Sequence, residues 1–235
     1  ANPRVAPIIV WDPHLNDQTL YVPFVMTFPY KKIMNSMREP VTMTGRIYQS
    51  EQSIFPYSDY TMAMGMDETL REDYYAYRFE DLKKCPKETI CALCQVLNIP
   101  FESTMLDADV PYQSPNTCQE GELVPGFDQP PLHRNVHSAL SKFDQVRLQI
   151  FYDPILRHYG YETFDFEECP MTDQEVYFLL KFPFRCEADY IARKKEDITA
   201  QQLRERLHGN MCALWTLGRQ GKVIFPKVIR PKIGG

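Results

Sequence analysis

The side chains in this 235-residue chain that could do chemistry are seven cysteines, five histidines and scattered cations. Cys91-Ala-Leu-Cys94 has the CxxC spacing of redox dithiols and of half a zinc site. The pair falls in the middle of a helical pattern, not at a helix N-terminus, where the dipole would stabilise a thiolate. No second CxxC and no paired histidines follow at ligand spacing. A redox or metal role through Cys85, Cys91 and Cys94 is therefore remote, and no metal is expected. An odd cysteine count excludes a fully paired disulfide framework within one chain. Cys85, Cys91, Cys94, Cys186 and Cys212 mostly have apolar neighbours in helical patterns, which reads as buried free thiols in a reducing cytoplasm. His14, His133, His137, His158 and His208 are the histidines available as general bases. His158 reads as a cation facing a helix C-terminal dipole, while His133 and His137 flank a helix start beside Arg134. The pattern assigns no catalytic base.

The elements that must position such groups sit in an ordinary globular composition. Hydrophobic residues at 44% and charged residues at 24% exclude a disordered chain and supply enough apolar surface for a core. A net charge of -5 leaves no basic field for a polyanion, so nucleic acid is not an expected partner. No apolar run approaches the roughly 18 to 20 residues that span a bilayer, and no charged-then-apolar leader opens the sequence. The expected setting is cytoplasmic, with no membrane partner and an unknown oligomeric state. Nineteen prolines against ten glycines imply stiff loops.

Along the chain, Ile8 to Trp11 and Leu20 to Val25 read as short strands within an otherwise irregular stretch to residue 72. Tyr30 to Arg38 reads as a helix with Ile33, Met34 and Met37 inward. Ser50 to Thr61 is an aromatic and hydroxyl-rich loop, packed on the core or serving as a substrate wall. Tyr75 to Phe79 is an aromatic run expected to form a buried strand, followed by a polar break over Glu80 to Lys84. Pro86 suits a first helical turn, and Ile90, Leu93, Cys94 and Leu97 share one helical face, so Glu88 to Asn98 should be a helix buried through those four. Asn98 should stop it. Pro100 to Pro131 is a proline-rich connection. A helical pattern from Arg134 to Tyr159 should be kinked or divided at Pro154 and closed by Gly160. Thr172-Asp-Gln-Glu175 is a capping box. Thr199-Ala-Gln-Gln202 opens a further helix with Leu203, Leu207, Met211 and Leu214 on one face. Val223 to Arg230 closes the chain as an edge strand, since Pro226 cannot donate to a ladder.

Several of these segments, taken in order, resemble a known family. Arg78-Phe-Glu-Asp-Leu-Lys83, Pro86-Lys-Glu-Thr-Ile90 and Leu97-Asn-Ile-Pro-Phe101 are similar to the helix following the Arg-Tyr-Glu-Asp segment of bacterial sulfotransferases that use the activated-sulfate nucleotide PAPS. Gly126-Phe-Asp128, Ser141 to Leu148 and His158-Tyr-Gly-Tyr161 resemble the downstream part of the same proteins. The likeness covers roughly residues 73 to 165.

That resemblance implies an α/β, sulfotransferase-like fold, related to P-loop kinases and built around a parallel sheet, present whole or in part, with a helix-rich C-terminal half. Residues 1–165 would form the sulfotransferase-like region and 166–235 a helical extension packed on the same core. The resemblance further implies that the Phe79 ring lies near the adenine of PAPS as a stacking residue; the plainer reading is a core position at a strand end. Arg78 and Glu80 would pair to shape the turn. Arg219 and Lys222, in Gly218-Arg-Gln-Gly-Lys222, match a late basic motif that some members place on the 3′-phosphate; a glycine turn before the last strand explains the same residues. Arg38-Glu-Pro40 with Thr44, or Asn2-Pro-Arg4, would be the earlier 3′-phosphate motif. The family's Gly-containing phosphosulfate loop has no counterpart here, because Thr27-Phe-Pro-Tyr-Lys-Lys32 lacks the glycine. The implied function is transfer of a sulfuryl group from PAPS to an unknown acceptor, by a portion of a longer enzyme or a form that has lost the loop. The alternative is a non-catalytic binding module that keeps part of the scaffold.

Overall fold

The computed structural model describes residues 9–10, 32–49, 72–107, 127, 140–182, 184, 209, 211–213, 215–223 and 225–232. Helices and a parallel sheet make it a mixed α/β protein, divided into two compact units that do not follow chain order. The sheet unit takes Ala1–Met37, Asp73–Arg134 and Lys227–Gly235; the helical unit takes Arg38–Glu72 and Asn135–Pro226.

In the sheet unit, four strands lie in the order of the chain: β1 (Ile9–Val10), β2 (Ile33–Met37), β3 (Tyr74–Arg78) and β4 (Lys227–Ile229). Every neighbouring pair is parallel. Ile33 faces Ile9 on one side and Tyr74 on the other, and the ladder continues to Met37 opposite Arg78. Tyr75, Ala76 and Tyr77 of β3 pair with Lys227, Val228 and Ile229. β4 is an edge of the described sheet, as Pro226 before it foretold. Tyr30 to Arg38 was expected to be a helix, and its described part is instead strand β2. An inner parallel strand is covered on both faces, so it shows no alternation that would separate it from a short helical stripe. Met34, Asn35 and Met37 are all buried, which is the mark of that two-sided cover.

β3 runs straight into α2 (Phe79–Lys84), so the expected polar break is a short helix with Phe79 as its first residue. Glu80 and Asp81 in its first turn and Lys83 and Lys84 in its last match the helix dipole at both ends, a signal the sequence carried. α3 (Pro86–Leu97) follows with Pro86 in its first turn. Asn98 ends it in the left-handed region at φ 55, with its N–H on Gln95 O and that of Ile99 on Cys94 O, closing the last carbonyls. Of the four residues expected to be buried, only Cys94 is; Ile90, Leu93 and Leu97 are half-buried, and Thr89 is the second buried position. The Lys32 ammonium, just before β2, donates to Val96 O near the end of α3. α3 therefore packs back along the sheet, and a 3₁₀ turn at Ser103–Leu106 follows it.

The helical unit begins with α1 (Pro40–Gln49), which sequence reading missed. Its signal was Pro40 in the first turn preceded by Glu39, whose carboxylate accepts from the N–H groups of Val41 (3.0 Å) and Thr42 (2.6 Å). α4 (Lys142–Phe151) is capped by Ser141 Oγ, which accepts from Asp144 N at 3.0 Å. α5 (Asp153–Tyr159) follows after a break at Tyr152, with Pro154 in its first turn, so the proline divides the helix as expected. Gly160, at φ 69, lets the chain turn out of α5 while Tyr161 N closes on Leu156 O at 2.8 Å. α6 (Asp173–Leu180) opens with the complete capping box of Thr172 and Glu175. Residues 211–213 and 215–219 are also helical.

Leu148, Ile150, Phe151, Ile155, Leu156 and Tyr159 are fully buried between these helices. Each such side chain contributes about 1.5–3 kcal/mol by leaving water. One member of this interior is charged. Arg147 is wholly buried and bonds Asp144 Oδ1 at 2.5 Å, Leu179 O in the last turn of α6 at 3.2 Å, and Phe182 O just beyond that helix. Its guanidinium also lies 4.1 Å from the Phe184 ring centre and 4.9 Å from that of Phe143. A lone arginine on an amphipathic pattern gives no sequence hint of this role.

Candidate functional site

β3 carries its chain to the carboxyl edge of the sheet and delivers Phe79 there. In open parallel sheets, ligands bind outside the carboxyl ends of the strands, where the strand order reverses; the described strands run in chain order, so Phe79 is placed at the carboxyl edge and not at such a reversal. Phe79 is half-buried, and the Lys83 ammonium, one turn along α2, lies 5.6 Å from its ring centre. Arg78 Nε is 3.7 Å from Asp81 Oδ1, an i to i+3 pair across the strand-to-helix turn. At the opposite end of β3, burial pushes the Tyr74 phenol up and a hydrogen bond from Asn35 partly opposes it. The phenol stays protonated at neutral pH and offers no base.

Arg219 and Lys222 lie together in the helical unit, at the end of the helical stretch 215–219. Gly221, at φ 65, lets the chain leave that helix: its N–H bonds Gly218 O at 3.1 Å, and Lys222 N bonds Leu217 O at 3.1 Å. The backbone donors a phosphate would use in this turn thus close the helix. The Arg219 guanidinium, although exposed, lies 5.4 Å from the Phe166 ring centre and 5.6 Å from that of Trp215. The Lys222 side chain is exposed.

Thr44, the hydroxyl of the earlier 3′-phosphate candidate, is fully buried. It donates to Pro40 O at 2.8 Å and lies 3.1 Å from the Tyr152 hydroxyl. The first-turn donors of α1 are already taken by Glu39. Of the two groups that would grip a phosphate there, the Thr44 hydroxyl is committed to holding α1, and Arg38 is buried. Asn2-Pro-Arg4, Leu20 to Val25, Thr27 to Lys31, Ser50 to Thr61 and Thr199 to His208 lie outside the described residues, as do His14, His133 and His137.

His158 sits in the last turn of α5, as the dipole argument required. Its Nε2 is 2.8 Å from Pro226 O, and its ring stacks on Phe225 at 4.5 Å. The described cysteines Cys85, Cys91, Cys94, Cys169 and Cys212 carry no disulfide. Burial pushes the Cys94 thiol up, and the neighbouring Cys91 adds to it; burial does the same at Cys212 against a small opposing effect of Lys181. Neither is a poised thiolate. Among the described residues, no three His, Cys, Asp or Glu side chains gather at metal-binding distance, and no helix is long and apolar enough to cross a membrane. Comparison of the chain with protein-family models, characterised proteins and solved structures finds no match.

Proposed function

We propose that the chain is a sulfotransferase-related protein with a sulfotransferase-like fold, acting in transfer of a sulfuryl group from PAPS to an acceptor. The observation that carries the reading is the position of Phe79. It is the first residue of α2, at the carboxyl end of inner strand β3, on the edge of the sheet from which ligand-binding loops leave in parallel-sheet proteins. An aromatic face there, with a lysine beside it, suits the adenine and the charge of a bisphosphate nucleotide. In this reading Phe79 stacks on the base, and Arg219 and Lys222 are the candidate 3′-phosphate cations. No metal enters the reaction in this reading.

A second reading, a non-catalytic module built on the same scaffold, is favoured by the fate of the other phosphate candidates. Thr44 and the start of α1 are committed to structure, and the Arg219 guanidinium lies against two rings. Ligand-observed saturation-transfer NMR with millimolar adenosine 3′,5′-bisphosphate separates the two. Stacking alone, at about 1–3 kcal/mol, gives weak binding, whereas a micromolar ligand needs about 8 kcal/mol. The catalytic-scaffold reading expects saturation of the adenine protons that is lost in Phe79→Ala. Equal transfer in that variant, or none in the parent chain, favours the module.

A further inference from the structure

The fold supplies the CxxC pair with a partner that its spacing did not offer. Cys91 and Cys94 stand three residues apart on α3, so their Cβ atoms share one face of the helix, about 5–6 Å from each other. Cys94 is buried and Cys91 half-buried. The 3₁₀ turn at Ser103–Leu106 brings the Met105 sulfur to 3.7 Å from Cys94 Sγ. Backbone bonds fix both sides of this contact. Ile99 N closes α3 on Cys94 O at 3.0 Å, and Met105 N bonds Glu102 O at 3.0 Å within the turn. Met105 is 38% exposed, so the sulfur cluster is open to solvent on one side.

The spacing and the donor types together select an ion. With metal–sulfur bonds of about 2.3 Å, two sulfurs sharing one tetrahedral or trigonal ion stand roughly 3.8–4.0 Å apart, close to the observed separation. The Cys94 S–H donates to the thioether, and an ion held by both sulfurs takes that proton's place. Among the described residues, no third His, Cys, Asp or Glu joins the two thiols. A donor set of two thiols and a thioether is soft throughout, which favours a soft cation over zinc, magnesium or calcium. Burial and the neighbouring Cys91 both oppose ionisation of Cys94, and a cation between the two sulfurs offsets both effects.

We propose that Cys91, Cys94 and Met105 bind one copper(I) ion. Each thiol gives up its proton and the thioether donates a neutral lone pair, so binding releases two protons and leaves a complex of charge -1. The proposal is independent of sulfuryl transfer. Its test is titration of the full chain, reduced and without oxygen, with copper(I) in competition with the coloured chelator bicinchoninate. The chain should take its first equivalent of copper from the chelator. That affinity should fall at least about tenfold in Cys91→Ser and in Met105→Leu, since loss of even an outer-shell partner of a metal ligand costs about that much. Leucine keeps the size and apolar character of Met105, so circular dichroism should show that variant folded, and a methionine that only packs would leave the affinity unchanged. Cys169→Ser, at an exposed thiol elsewhere, should bind copper as the parent chain does. X-ray absorption at the copper edge should show sulfur ligands alone, with one fewer in Met105→Leu. Three results overturn the proposal: no copper taken from the chelator, first-equivalent affinity unchanged in Cys91→Ser or Met105→Leu, or affinity lost in Cys169→Ser.

Discussion

Replacing Arg147 with methionine should be among the most damaging single changes available in the helical unit. The side chain is wholly buried, and so is its partner Asp144, at 2% exposure. Methionine keeps most of the apolar stem but not the guanidinium, so the ion pair, the two carbonyl hydrogen bonds and the cation–ring contact with Phe184 are lost together and the loss is chiefly electrostatic. Removing one partner of a buried pair leaves an uncompensated charge, which costs about 3–5 kcal/mol. Leu179 O and Phe182 O lose their donor as well. For a chain of this length the loss corresponds to roughly 6–20 °C in Tm and a large share of the total stability. The companion variant isolates the cause. Asp144→Leu with Arg147→Met removes both charges and leaves only the two carbonyls short of a donor, at about 1 kcal/mol each. Urea denaturation of the single and double variants should therefore show the double losing about 1–3 kcal/mol less. A single variant that loses under about 1 kcal/mol, or a double variant as unstable as the single, would refute this account of how α4 holds the end of α6.

Three further outcomes follow from local geometry. Gly221→Ala should cost about 1–2 kcal/mol through its left-handed backbone alone, since nothing lies within 4 Å of an added Cβ; Gly209→Ala, equally open but helical, should stabilise by about 0.5–1 kcal/mol, and denaturation midpoints moving in the same direction would contradict both. With a thiol reagent at neutral pH, exposed Cys169 should label first and Cys94 last among the described cysteines, Cys94 quickening only above the ordinary thiol range; equal rates would sink the burial argument. Because Glu175 has a depressed folded pKa, its cap on α6 is fully formed above the usual value of 4.5 and is lost as pH falls through the lower folded value. An acid denaturation profile that is identical in Glu175→Gln would contradict this.

What could be read from the residues was whatever has a local cause. The Thr172–Glu175 box, the stops at Asn98 and Gly160, the division at Pro154 and the edge position of β4 each depend on one side chain meeting its own neighbourhood. β2 failed that test because pairing with β1 and β3, not its own pattern, makes Ile33 to Met37 a strand. The half-exposure of Leu93 and Leu97 depends on what packs over α3, which periodicity does not encode. Among site candidates, Phe79 was legible as the end of an aromatic strand, although the strand itself stops at Arg78. Its place at the carboxyl edge follows from strand directions that only the paired sheet defines. The engagement of Thr44 with Tyr152, 108 residues away, had no sequence signal at all. Nor had the contact of Arg219 with Phe166 and Trp215, or the three-way hold of Arg147.

The claim that matters most is that the carboxyl end of β3 meets a nucleotide. Titrating adenosine 3′,5′-bisphosphate into ¹⁵N-labelled chain and mapping amide shifts tests it residue by residue. The account expects the largest shifts at Arg78, Phe79 and Glu80, and their disappearance in Phe79→Ala. Shifts confined to other parts of the chain, or none at millimolar nucleotide, would contradict it.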